Sequence, residues 1–268
     1  MSTQSAADTM HSHPCFDERA HARVGRVHLP VAPRCNIRCA FCERRICASI
    51  AMQHPGWAQR IMTPRQALAH VQDLARRHPH ERFVVGVAGP GDPLANAGTL
   101  EALGAVHEAF PHLLKCVSTN GLLLEDRLPE LLRVGVSALT VTVNAPDGEV
   151  GEALYRGRAA ADLLLERQFA GIRAALSAGL AVKVNTVLIP GVNGPHIARL
   201  AARLRDLGVR LMNLMPLIPA GLMRQERAPT CDELRQARAQ CEAFIPQFRA
   251  CEHCRADVVR FPRCAQGE

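Results

Sequence analysis

Three thiols fall within eight residues of this sequence, Cys35, Cys39 and Cys42 in the stretch CNIRCAFC. Their spacing is C-x3-C-x2-C, with an aromatic residue, Phe41, just before the last. Thiolate sulfur is the soft ligand that iron–sulfur clusters take, and this spacing lets one short loop wrap three corners of a cubic cluster. Three ligands leave a fourth iron open to hold a substrate or cofactor. A zinc knuckle is the competing reading. Zinc sites usually close with four ligands paired as two short C-x2-C or C/H units, and no partner pair lies nearby. Two further groups carry metal-ligand chemistry. Cys15 and His21 lie six residues apart near the N-terminus, where a lone thiol and a surface imidazole are the bland alternative. Cys251 and Cys254 form a C-x2-C pair in a polar tail, where a small zinc site or idle cysteines would also serve.

These groups need a scaffold, and the bulk composition allows one. The chain has 268 residues, 48% hydrophobic and 21% charged, which describes a soluble globular α/β chain with ample core. Aromatics are only 4%, so the core is built from Ala, Leu and Val. No apolar run reaches the roughly 20 residues that span a membrane. The start, MSTQSAADTMHSHPC, has neither a basic region nor an apolar core, so it is not a secretory signal. The expected location is cytoplasmic, where eleven cysteines point to metal or catalysis rather than disulfides. The net charge of +7 is spread over scattered arginines. It reads as solvated helix faces or a basin for an anionic ligand, not as a nucleic-acid surface.

In chain order, residues 1–12 are small and polar and are expected to be disordered. Val24–Pro33 reads as a first strand delivering the cysteine loop at its C-terminal end. Thr63-Pro64 reads as an N-cap with proline at the first helical position, opening a helix to about Arg77. Strands at Arg82–Ala88, Leu113–Thr119, Ala138–Val143, Ala181–Ile189 and Arg210–Leu217 follow. Helices near Gly98–Phe110, Leu128–Val134, Ala160–Ala178 and Pro195–Leu207 separate them, and another spans about Thr230–Phe244. Residues 255–268 show no periodicity. Six alternations of strand and helix imply parallel strands joined by right-handed crossovers, and six units without two more suggest an incomplete barrel. The implied organisation is an N-terminal arm at 1–23, the barrel at 24–245 and a C-x2-C tail at 246–268.

In a β/α barrel, chemistry sits at the C-terminal ends of the strands. Those ends read Gly89-Pro90-Gly91-Asp92-Pro93, Ser118-Thr119-Asn120-Gly121, Thr142 with Asn144, Asn185 leading into Ile189 and Pro190-Gly191-Val192-Asn193, and Asn213-Leu214-Met215-Pro216-Leu217. Each alone is ordinary turn chemistry. Together, on one rim, they form a ligand cup.

The cysteine loop resembles the signature of the radical S-adenosylmethionine (SAM) superfamily, CxxxCxΦC with Φ aromatic, and the alternation resembles that superfamily's partial (β/α)6 TIM-like barrel. Within it, the stretches HPCFDERAH (13–21), VHLPVAPRCNIRCAFCERRIC (27–47), VAGPGDP (87–93), KCVSTNGL (115–122), VTVNAPD (141–147), ERQFAGI (166–172), KVNTVLIPGVN (183–193), NLMPLI (213–218) and CEHCRADVV (251–259) resemble the nitrogenase cofactor-assembly enzymes of the NifB type. That resemblance implies a SAM-binding 4Fe–4S cluster on Cys35, Cys39 and Cys42. It also implies two substrate 4Fe–4S clusters, fused with a SAM-derived carbide into an eight-iron, nine-sulfur precursor of the iron–molybdenum cofactor. One SAM would methylate a cluster sulfide; a second would be cleaved to a radical that abstracts hydrogen from that methyl. Gly89, Gly91, Asp92, Thr119, Asn120, Thr142, Asn144, Asn185 and Ile189 would then meet SAM. Cys15, His21, Cys116, Cys251 and Cys254 would hold substrate clusters, with Cys116 pointing at the rim and the other four on two flexible arms that close over the mouth. Cys47 also matches a family cysteine and reads equally as ligand or inert thiol, while Cys231, Cys241 and Cys264 read as unremarkable.

The resemblance further implies a cluster donor, a cofactor carrier or scaffold, and a reductant such as ferredoxin or flavodoxin as partners, with no nucleic acid and no membrane. It corresponds to the stand-alone form, without the carrier domain fused behind some members. Two stretches depart from the family pattern. Ala48–Gly56 replaces an Asn-Glu-Ser-Arg-Pro-Gly segment, leaving Glu43 the nearest acid, and Val150–Arg158 replaces a longer aromatic-rich loop. The competing readings are a radical SAM maturase of a peptide or small molecule, with Cys251 and Cys254 on an auxiliary cluster, and a basic zinc protein that binds nucleic acid. The second requires aromatics for base stacking, and the chain has one Trp and one Tyr.

Overall fold

Runs rich in Val, Leu and Ala become strands here because both faces of a parallel sheet are covered and β-branched side chains fit the pleat. The computed structural model describes residues 5–47 and 54–262. Two short helices, α1 (Ala6–Ser12) and α2 (Glu18–His21), precede β1 (Gly25–His28), and a two-stranded ribbon, β2 (Arg45–Ile46) and β3 (Trp57–Ala58), follows the cysteine loop. Then come α3 (Pro64–Arg77), β4 (Phe83–Val87), α4 (Ala97–Ala109), β5 (Lys115–Thr119), α5 (Leu124–Arg133) and β6 (Val136–Thr142). The remainder is α6 (Gly148–Gly151), α7 (Arg158–Ser177), β7 (Ala181–Leu188), α8 (Ile197–Asp206), β8 (Met212–Pro216), α9 (Cys231–Glu242) and β9 (Val259–Arg260). The main sheet has the order β8-β7-β6-β5-β4-β1-β9, with the first six parallel and β9 antiparallel on β1. It is a mixed α/β partial barrel with a curled sheet, as the sequence implies.

Helices cover the outside through apolar residues at helical spacing: Ala67, Val71 and Leu74 on α3, Leu124, Leu128 and Leu131 on α5, and Leu200 and Leu204 on α8. Full burial of each leucine contributes roughly 1.5–3 kcal/mol. Thr63 and Gln66 form a reciprocal capping box that starts α3, as the Thr-Pro signal implies. Helix α5 begins at Leu124, four residues before the expected start, and carries Pro129 inside it. Proline favours a first-turn position, but burial of Leu124 extends the helix toward its N-terminus. No helix among the described residues is long and apolar enough to cross a membrane.

Both termini depart from the sequence expectation. Residues 6–12 are helical rather than disordered, because the Ser5 hydroxyl accepts from the Asp8 amide and Thr9 is buried. Behind them, His13, Phe16 and Ala20 are buried, with Phe16 packed beside Ala138, Ala181, Leu211 and Phe248 at the N-terminal ends of β6, β7 and β8. The C-terminal tail spans the open side of the sheet. At one edge Phe248 N donates to Met212 O on β8 (2.7 Å), and at the other β9 pairs with β1. The two segments are therefore packed walls of the barrel and not flexible arms, since each buries apolar groups and satisfies backbone hydrogen bonds. Residues 1–4, the departing segment at 48–53, and Cys264 lie outside the described residues.

Candidate active site

The cysteine loop is fixed on two sides. From the loop after β4, Gly91 N donates to Ala32 O (2.6 Å), Asp92 N to Arg34 O (2.9 Å) and Asn96 Nδ2 to Arg34 O (2.8 Å). From the other side, Ala40 N donates to Leu154 O (2.9 Å) and Ala40 O accepts from Leu222 N (2.8 Å). Only glycine fits at 91, where a Cβ would lie 2.1 Å from the Arg34 oxygen. So held, Cys35, Cys39 and Cys42 line one cavity of about 220 Å³, together with Phe41, Asn120, Thr142 and Asn144. Burial pushes the Cys39 and Cys42 thiols up, and each thiol feels its neighbours' charge. A cubic cluster takes one thiolate per iron, so its ligands surround it rather than converge on a point. That is the arrangement here. Among the described residues, no three His, Cys, Asp or Glu side chains are placed to hold a single metal ion. The donor set fits a cluster with an open iron.

Asp92 organises the opposite wall. Its buried carboxylate accepts from Leu94 N (2.9 Å), Asn120 N (2.6 Å) and the Thr119 hydroxyl (2.9 Å), tying the end of β4 to the end of β5. Burial raises its pKa, against the hydrogen bonds from Asn120, Thr119 and Leu94, which pull it down. Asn120 then donates to Asn36 Oδ1 (2.7 Å) and reaches Cys35 Sγ (3.8 Å). Asn144 donates to the Tyr155 hydroxyl (3.0 Å) and accepts from Val187 N (2.9 Å). Gly91, Asp92, Thr119, Asn120, Thr142 and Asn144 all line the cavity. Three expected contacts sit behind it. Gly89 (φ +147°) packs near Ala256, Asn185 accepts from Asn213 Nδ2 (3.1 Å), and buried Ile189 donates its N–H to Asn193 Oδ1 (2.8 Å).

A second group of thiols lies deeper in the barrel. Cys116 stands two residues before Ser118 on the same face of β5, about 7 Å down the strand from the cavity lining. It therefore points into the lumen and not at the rim, as its pairing with Gly86 and Ala138 requires. A Cβ on Gly86 would lie 2.7 Å from Cys116 Sγ and 3.3 Å from the His28 ring, so glycine leaves room for both. Cys15, Cys116, Cys251 and Cys254 are close enough to perturb one another in a chain of pairs, and burial pushes Cys15 and Cys116 up and Cys254 to about 11. Around them lie buried Arg26 and Lys183 and the imidazoles of His13 and His28, which burial lowers to about 3 and about 4. Arg26 pairs with Glu252 (2.7 Å), which Arg260 also reaches. His21 sits beside both, with Nδ1 2.8 Å from the Pro14 oxygen and Nε2 3.5 Å from Glu252 Oε1. The side-chain nitrogens His13 Nε2 and Arg26 Nε are buried without partners. Thiols beside unpaired donors fit an anionic cluster.

The remaining cysteines stand apart. Cys47 is half-buried and held by its backbone to Ala58 O (2.9 Å), Cys231 is exposed, and Cys241 is buried with its thiol pushed up to about 12. Glu43 forms an exposed pair with Arg45. Sequence reasoning missed His13, Arg26, His28, Lys183, Tyr155, and the rim residues His54 and His253. The signal was present for Lys183 and Arg26, each a charge inside an otherwise apolar strand.

A model of the radical SAM superfamily matches residues 29–204. The chain is 44% identical over 258 residues to the FeMo cofactor biosynthesis protein NifB of Methanocaldococcus infernus, spanning 92% of this chain and 85% of that one. Against the protein of the same name from Klebsiella pneumoniae it is 40% identical over 275 residues, spanning 96% of this chain and 58% of the longer relative. In fold it is similar to SuiB of Streptococcus suis bound to S-adenosylmethionine, with a TM-score of 0.61 at 11% identity over 87% of this chain and 52% of that one.

Proposed function

Since the chain belongs to the radical SAM superfamily and, within it, to the NifB-type proteins, we propose that it fuses two 4Fe–4S substrate clusters around a SAM-derived carbon to make the iron–sulfur precursor of the nitrogenase FeMo cofactor. The observation that carries this reading is two sets of thiols in one lumen: Cys35, Cys39 and Cys42 at the rim, and Cys15, Cys116, Cys251 and Cys254 a side-chain layer below. A rim cluster alone suffices for SAM cleavage. The lower set needs a second use, and holding substrate clusters within reach of SAM provides one.

The 4Fe–4S cluster on Cys35, Cys39 and Cys42 would supply the electron that cleaves SAM at its open iron. The protein's own work is positional. Asp92 fixes Asn120 against the cysteine loop, Asn144 and Tyr155 hold the facing wall, and Thr142 offers a polar group beside them. The half-buried Phe41 and the tail crossing the open edge would limit the access of water to the reacting carbon. The lower cysteines and His21 would hold the substrate clusters, with cluster donors, a cofactor carrier and a small electron-transfer protein as partners.

The test is SAM carrying carbon-14 in its methyl group, given to anaerobically reconstituted protein with dithionite. Label recovered in the iron–sulfur cluster extracted from the protein, and dependent on the lower cysteines, supports the proposal. Formation of 5′-deoxyadenosine with no label in any cluster overturns it and leaves the maturase chemistry.

A further inference from the structure

Lys183 stands on β7 in the apolar run AVKVNTVL and is 2% exposed, inside the lumen between the N-terminal arm and the thiols. Its ammonium donates to the Cys15 carbonyl (2.7 Å) and lies 5.3 Å from the Phe16 ring and 4.8 Å from the Phe248 ring. No carboxylate pairs with it among the described residues. Glu252, which lies beside Cys254, is already shared by Arg26, Arg260 and His21. The nearby imidazoles of His13 and His28 supply no anion, and the Arg255 and Asp257 charges pair with each other (3.0 Å). Lys183 is therefore a buried cation without an anion, an arrangement that costs stability unless something else in the site supplies the charge.

We infer that Lys183 is the counter-charge for an anionic iron–sulfur cluster carried in the lower lumen, so that the empty site is electrostatically strained and the loaded one is relieved. The inference rests on the cluster-fusion reading above. Its chemistry is general: a 4Fe–4S core is itself a cation, so a cluster held by three of the four lumen thiolates, or a reduced cluster held by two, is an anion. Of the two cations that act on Cys15, Arg26 is paired with Glu252 and Lys183 has no acidic partner among the described residues. A backbone carbonyl and two phenyl faces hold the ammonium weakly enough that a cluster can engage it and later leave. Lys183 is a positioning residue in this scheme, acting on the substrate cluster through charge.

The alternative is that Lys183 merely braces the arm through the Cys15 carbonyl, and the two roles predict opposite signs. In metal-free protein, Lys183→Met removes an unpaired buried charge, so its thermal midpoint should equal or exceed wild type. After anaerobic reconstitution the same variant should hold at least about four fewer irons per chain than wild type. Any lumen cluster it retains should titrate by EPR at a more negative midpoint potential, because a neighbouring positive charge has gone. Lys183→Arg should restore loading. A lower midpoint temperature for metal-free Lys183→Met, with cleavage of the arm by protease, assigns a brace and overturns the inference. So does full iron loading of the variant, whatever its potential. Wild-type protein that holds only about four or about eight irons sinks the cluster-fusion reading, and this inference with it. Full wild-type loading beside a fully loaded variant sinks this inference alone.

Discussion

Replacing Asp92 by alanine should weaken both the fold and the SAM site, by an amount the hydrogen bonds define. The carboxylate is the acceptor for two backbone N–H groups, Leu94 and Asn120, and for the Thr119 hydroxyl, all in a buried setting. The hydroxyl can turn elsewhere; the two N–H groups cannot. Leaving each unpaired costs roughly 1–3 kcal/mol. Part of that returns because a buried carboxylate with a raised pKa is itself costly to keep. The net expectation is a loss of about 2–4 kcal/mol, which at about 2–4 °C per kcal/mol lowers the melting point of metal-free protein by roughly 4–16 °C. Asn120 also loses the anchor that holds it against Asn36 and Cys35. A misplaced wall of about 1.4 kcal/mol corresponds to roughly tenfold weaker SAM binding. Circular dichroism on metal-free protein and calorimetric SAM titration of reconstituted protein read the two effects separately. An Asp92→Ala protein that melts within about 1 °C of wild type and binds SAM equally well would refute the assigned role.

Other expectations follow from single groups. Lys115 is buried with Nζ on the Leu113 oxygen (2.7 Å), and desolvation lowers its pKa from 10.5 to about 8. A lysine lowered on folding penalises the fold fully below pH 8 and progressively less up to about 10.5. Wild-type stability should therefore gain up to about 3 kcal/mol across that window, and Lys115→Met should be more stable at pH 7 with no such gain; equal pH slopes in urea unfolding would contradict this. Gly86→Ala would place a methyl group 2.7 Å from Cys116 Sγ. It should cost about 1–3 kcal/mol by overpacking and reduce lower-lumen iron, while 5′-deoxyadenosine formation survives. Unchanged iron content would mean that Cys116 and His28 have more room than the packing shows.

The barrel was legible because its causes are local. Valine-rich runs, the Thr63-Pro64 cap and the glycines at 179 and 208 mark elements that the structure places within a few residues of expectation. The rim was legible for a related reason, since Asp92, Thr119, Asn120 and Asn144 are turn formers that strand alternation puts at one end. The termini were not. Nothing in MSTQSAADTMHSH states that Phe16 will meet Ala138 and Phe248, or that the tail will touch β8 and β1 at once. Such contacts are set by the open edge of the sheet, and sequence periodicity does not record it. For the same reason the thiols at 15, 116, 251 and 254 could be assigned as candidates from resemblance, but their place inside the lumen, beside Lys183, needed three dimensions.

The most direct test of three clusters in one chain is the count of iron and acid-labile sulfide after anaerobic reconstitution. Wild type should be compared with a Cys15→Ala/Cys251→Ala/Cys254→Ala variant, each checked for 5′-deoxyadenosine formation from SAM. Cluster fusion in this lumen predicts about twelve irons in wild type, falling toward about four in the variant while SAM cleavage continues. A wild-type count of about four or about eight, or a variant that keeps all its iron, would contradict it.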